Sequence, residues 1–137
     1  MPSRPADVFF YGLFMDEELL RTKGITPLRA QVASVDGFVL RIGQRATLVP
    51  AEGGRVHGVV MSLTLAELDG LYSETSVRAY EPQAVLVHLA AGGVIAALCY
   101  NLSPPPTSTE RNPEYVTKLR AVAQKVGLPA EYVASLQ

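Results

Sequence analysis

Apolar and polar positions change period several times along the chain. Val8, Phe9, Phe10 and Tyr11 form an unbroken apolar run closed by Gly12, which predicts a short buried strand over 8–11. A short helix is expected over 16–23. Asp16 stands at its N-cap, Glu17 and Glu18 fill its first turn, and Gly24 can end it. Two strands are predicted at 28–35 and 37–42, separated by Asp36-Gly37, the strongest short hairpin signal in the chain. Further strands follow at 45–50 and 55–63, with a turn at 51–54. In the second of these, Val59, Met61 and Leu63 oppose Val60, so both faces are apolar.

Thr64 and Glu67 form a capping box that starts a helix running to about 73. The runs 84–89 and 94–100 flank a glycine turn and predict a hairpin. Three consecutive prolines make 103–109 a loop. Asn112-Pro113 opens a last helix, with Tyr115, Leu119, Val122 and Val126 on one face and Gly127 at its end. A short tail helix starts near Pro129. The expected class is α+β: a small mixed β-barrel-like sheet of about seven strands, with two or three short helices. The two-faced apolar strands favour a closed or strongly curled sheet over an open one.

Composition narrows this picture. At 137 residues the chain suits a single domain, 1–137. Hydrophobic residues at 48% can fill a core, and 18% charged residues argue against long disordered tails. A formal net charge of −1, with no basic run, gives no footprint for nucleic acid or an anionic membrane. No apolar segment reaches membrane-spanning or signal-peptide length, so a cytoplasmic protein is expected. Oligomeric state is left open. The single cysteine, Cys99, lies in an apolar run and reads as a buried thiol. His57 and His88 fall in strands and read as structural. No metal-ligand spacing, nucleophile elbow or phosphate loop is present.

Two features carry possible chemistry. The segment Tyr11-Gly12-Leu13-Phe14-Met15 leaves a strand just ahead of a helix. Such a turn aims successive N–H groups one way, and Gly12 lets a ligand approach the backbone, which suits a carboxylate. Local sequence alone also allows an ordinary strand-to-helix turn. The second feature is Glu74, at the C-terminal end of the 64–73 helix. A carboxylate there opposes the helix dipole and adds nothing to helix stability. That field, with partial burial, would raise its pKa toward the range of a general base. An exposed loop acid is the plain alternative.

In order, YGLFM (11–15), GFVLRIG (37–43), RATLVP (45–50), GGRVHGVVMSL (53–63), LYSE (71–74), Tyr80 and Tyr100 resemble the gamma-glutamylcyclotransferase-like family, as a diverged bacterial-type member. The resemblance covers about 8–102. It implies release of 5-oxoproline from a small gamma-glutamyl compound, the free α-amine attacking its own γ-carbonyl. It also implies Glu74 as acid/base, Tyr11, Gly12, Leu13 and Phe14 around the glutamyl α-carboxylate, and Tyr80 and Tyr100 as pocket tyrosines. No cofactor or metal is implied. Three positions depart from the family pattern. Leu13 stands where Ser or Thr is usual, Leu71 where Asp often precedes the Glu, and Thr75 where Gly often follows it. These departures keep open a non-catalytic small-molecule-binding domain of the same fold. An interaction module using 103–109 is a third reading.

Overall fold

A computed structural model describes residues 5–75, 77–107 and 109–136. Among these residues five strands form the sheet: β1 (Pro5–Phe10), β2 (Leu28–Ile42), β3 (Ala46–Thr64), β4 (Glu81–Leu89) and β5 (Val94–Asn101). They close into a barrel in the order β1-β3-β2-β4-β5. The neighbours are antiparallel except at the seam, where β1 meets β5 in parallel at Val8 and Leu98. The sheet is therefore mixed, as expected.

The seven predicted strands become five because two pairs are continuous. Asp36-Gly37 is not a hairpin. Val35 pairs with Val56 and Asp36 with Arg55; beyond Gly37, Phe38 pairs with Pro50 on the same partner strand. Gly37 alone thus faces residues 51–54 across a wide bulge, and its φ of 87° supplies the bend. The predicted turn at 51–54 is the other half of this bulge. Gly54 packs so closely there that a Cβ on it would lie 2.4 Å from the Phe38 carbonyl oxygen. The actual reversal between β2 and β3 falls at 43–45, where the Gly43 N–H bonds to the Arg45 carbonyl at 3.0 Å.

Among the described residues there are four α-helices: α1 (Glu17–Thr22), α2 (Leu65–Leu71), α3 (Pro113–Val126) and α4 (Ala130–Ser135). A single 3₁₀ turn, Leu13–Met15, links β1 to α1. The capping box is present: the Glu67 N–H bonds to Thr64 Oγ1 at 3.1 Å and the Thr64 N–H to Glu67 Oε1 at 2.9 Å. Asp16 caps α1, and Asn112 caps α3 through the Tyr115 N–H. The 103–109 segment contains no helix or strand at its described residues; Ser108 lies outside them. None of the helices is long and apolar enough to cross a membrane.

Alternation along the strands builds two apolar layers. Phe9, Val35, Leu48, Val56, Val60 and Val87 point into the barrel, with Cys99 among them. Val8, Phe10, Val59, Met61 and Leu63 point outward, under Leu20, Leu68, Leu119 and Val133 of the four helices. β1 and the second half of β3 are thus apolar on both faces because helices cover their outside. On β4 and the first half of β5 the outer face is open, and Leu86 and Val94 are exposed.

Candidate active site

At one end of the barrel the exit of β1, the start of β3, the approach to β4 and the end of β5 converge on a cavity of about 310 Å³. Tyr11, Gly12, Leu13 and Phe14 form one wall, and Glu74, Tyr80 and Tyr100 contribute from the other side. All seven residues singled out in the sequence therefore face one space. Buried Phe9, Phe10, Tyr11 and Ala46 make the floor; half-buried Leu13, Phe14, Leu19, Tyr72 and Val77 make the rim.

The 3₁₀ turn shapes the first wall. The Met15 N–H bonds to the Gly12 carbonyl at 3.0 Å and the Asp16 N–H to the Leu13 carbonyl at 3.1 Å. The amides ahead of those bonds have no partner within the turn, as at any helix start. Lys125 of α3 reaches the capping Asp16 at 2.9 Å and fastens α3 over this turn.

Glu74 lies three residues beyond the end of α2, not on the helix. Its carbonyl accepts from the Val77 and Arg78 N–H groups, so a tight turn sets the side chain's direction. Both carboxylate oxygens meet Lys23 Nζ, at 2.8 and 3.0 Å. The pair stands at the cavity mouth, with the Glu74 side chain 39% exposed.

The tyrosines divide the remaining work. Tyr11 donates to the Tyr100 carbonyl at 2.7 Å, joining the ends of β1 and β5. Tyr80 donates to the Ala46 carbonyl, so its proton is committed to the scaffold. Tyr100 presents its ring, stacked on Tyr72 with centroids 3.9 Å apart and planes 7° from parallel. Phe14 meets Tyr72 edge-on at 5.9 Å. Burial raises the pKa of Tyr11 and Tyr72 well above the usual phenol value and pushes Tyr80 to about 12. These groups remain neutral hydrogen-bonding phenols through the physiological range. Below them burial lifts the Cys99 thiol to about 12, against the opposing pull of the Asn101 side chain, so this cysteine is inert.

Lys23, Tyr72 and Tyr115 are among the lining residues that sequence did not single out for the site. Lys23 read only as the end of a helix, Tyr72 was part of the LYSE match, and Tyr115 was one residue of an apolar helix face. Their membership depends on long-range approach, and no local motif announces it.

The sequence profile described as gamma-glutamyl cyclotransferase, AIG2-like, matches residues 8–118. No curated protein sequence matches the chain significantly. Among solved structures, one titled gamma-glutamyl cyclotransferase superposes with a TM-score of 0.81 at 22% identity, covering 98% of this chain and 89% of that one. An uncharacterised protein from Homo sapiens gives 0.80 at 24% identity over 97% and 88%. A mouse AIG2-like protein gives 0.57 at 17% identity over 81% and 90%. At these identities the superpositions establish the fold.

Proposed function

The chain belongs to the gamma-glutamyl cyclotransferase, AIG2-like family, and on that premise we propose that it releases 5-oxoproline from a small gamma-glutamyl compound. The observation that carries this reading is the meeting of Glu74 and the 11–14 turn on one cavity of about 310 Å³. That volume sits at the small end of ligand pockets and suits a glutamyl head with a modest leaving group.

The reaction asks little of the protein beyond folding the substrate. The α-amine and the γ-carbonyl are tethered, so holding them face to face converts binding into a large effective concentration. The amides of the turn take the α-carboxylate. Glu74 accepts a proton from the α-amino group as its nitrogen attacks the γ-carbon. The new C–N bond closes the five-membered ring. Glu74 then returns the proton to the leaving nitrogen as the old C–N bond breaks, and a free amine departs. The stacked Tyr72–Tyr100 pair and Phe14 wall the glutamyl methylenes from water.

A second reading has its own observation. Lys23 already satisfies both oxygens of Glu74, and Leu13 brings no hydroxyl to the turn. A domain that binds a glutamyl-like ligand without turning it over would look the same. The test is 5-oxoproline release by mass spectrometry from gamma-glutamyl amino acids, gamma-glutamyl amines and glutathione. Release that falls at least a hundredfold in Glu74→Gln supports the cyclotransferase. Release by wild type that survives in Glu74→Gln removes Glu74 from the mechanism. Ligand-induced thermal stabilisation without any release favours the binding domain.

A further inference from the structure

The reversal between β2 and β3 is tied down from two directions. Within it, the Gly43 N–H bonds to the Arg45 carbonyl at 3.0 Å. From the loop before α3, the Asn112 amide group donates to the Gln44 carbonyl at 3.3 Å. From the approach to β4, Tyr80 donates to the Ala46 carbonyl. The backbone is therefore held on both sides of Arg45. The Arg45 side chain is exposed and lines the cavity, which makes it part of the rim. Its positive charge reaches the Tyr80 phenol: burial drives that pKa up to about 12, and Arg45 pulls against the rise.

Among the described residues, charge in the cavity lining comes from three side chains: Lys23, Arg45 and Glu74. Lys23 and Glu74 meet at 2.8 and 3.0 Å and balance each other. The lining thus carries one net positive charge. A gamma-glutamyl head is a zwitterion and brings no net charge to match it. A leaving group with a carboxylate does. Glu74 stands at the cavity mouth and returns its proton to the leaving nitrogen there. Whatever that nitrogen carries lies at the rim that Arg45 helps to form.

We propose that Arg45 is a specificity-determining residue, whose guanidinium holds a carboxylate on the leaving amine and so favours it over an amine without one; the inference rests on the cyclotransferase reading of the cavity. A guanidinium presents five N–H donors in a planar fork that matches a carboxylate. The role takes two of them and is compatible with the contact Arg45 makes within the protein. The pinned reversal fixes where the side chain starts, so less freedom is lost when the fork engages.

The test compares two substrates that differ only in the leaving-group carboxylate: gamma-glutamyl-glycine and gamma-glutamyl-methylamine. Release of 5-oxoproline by the full chain is measured for each. Wild type should show a kcat/KM roughly tenfold higher for the glycine compound, the gain expected for hydrogen bonds between charged groups at a partly exposed site. Arg45→Gln should remove that advantage and leave the methylamine compound unchanged. Arg45→Lys, which keeps the charge and loses the fork, should fall between the two. No preference in wild type, or equal losses for both substrates in Arg45→Gln, would overturn the assignment while leaving the reaction standing. If Arg45→Gln does not fold, Arg45→Lys decides alone, and a preference as large as that of wild type rejects the proposal. If neither compound releases 5-oxoproline, the cyclotransferase reading fails by itself, and the same pair is titrated into wild type and Arg45→Gln by calorimetry. Tighter binding of the glycine compound that disappears in Arg45→Gln keeps the specificity role. Equal binding of the pair, or no binding, rejects it together with the reaction.

Discussion

Gly12 is where side-chain size matters most at the site. Its φ of −116° is open to any residue, so the demand for glycine is purely spatial. An alanine methyl would lie 2.6 Å from the Tyr115 hydroxyl and force the ring or the turn to move. Gly12→Ala should destabilise the protein by about 1–3 kcal/mol, the range for overpacking a well-filled site. In a Tyr115→Phe background the same change should cost clearly less, because the hydroxyl it strikes is gone. Thermal or urea unfolding of the four proteins of this cycle measures the coupling, and strict additivity would contradict the contact. Sequence made the lining of this cavity legible in part. YGLFM and Glu74 were readable because a turn before a helix, and an acid past a helix end, have local physical signatures. Tyr115 and Lys23 were not, since an aromatic at helical spacing and a lysine near a helix end look alike whether or not they reach a cavity. The expected position of Glu74 on the last turn of the helix was also too generous. The helix ends at Leu71, and the Glu74 direction comes from the following turn.

At the scale of elements, capping chemistry was the most readable layer. Asp16, Thr64, Glu67, Asn112 and Gly127 each stand where their side chains or backbone freedom suggested. Glu67 does more than the sequence implied, because its Oε2 also takes the Thr26 N–H at 3.0 Å. It thereby ties α2 to the segment before β2. Desolvation pushes its pKa up, but the bonds from Thr64 and Thr26 together win and the net shift is downward. A carboxyl with a lowered folded pKa adds stability that is fully present above its unfolded value of about 4.3 and fades as pH falls through the folded one. Glu67→Gln should therefore lose its effect on the unfolding midpoint in acid while costing about 1 kcal/mol at neutral pH. A difference that stays constant down to pH 3 would contradict this account. Strand boundaries were harder to read. Asp36-Gly37 carries the local signature of a hairpin, yet Val35 and Phe38 both keep partners on β3. The pairing on either side carries the strand on through the glycine, and the local preference is spent on a bulge instead.

Closure of the whole barrel depends on the contact between β1 and β3. Gly58 sits where those strands press together; a Cβ there would lie 2.2 Å from the Phe10 carbonyl oxygen and 2.9 Å from the Phe9 ring. The first of these is backbone and cannot swing aside. Gly58→Ala should cost at least about 3 kcal/mol and lower the melting temperature by many degrees, with the cavity lost alongside it. A variant that melts near wild type would show that the strands can separate without penalty. The closed character of the sheet was legible in sequence because Val59, Val60, Met61 and Leu63 leave no polar face. The seam itself was not, since one parallel bridge between Val8 and Leu98 leaves no trace in either strand alone.

The order in which the chain is written gives the Tyr115 contact a temporal meaning. Every strand of the barrel is complete by Asn101, whereas the hydroxyl over Gly12 arrives only with α3. During synthesis, a nascent chain could shut its barrel and set Glu74 in place while the turn at Gly12 remained unroofed. The pocket would mature last, when the emerging α3 swings back to a segment written well before it.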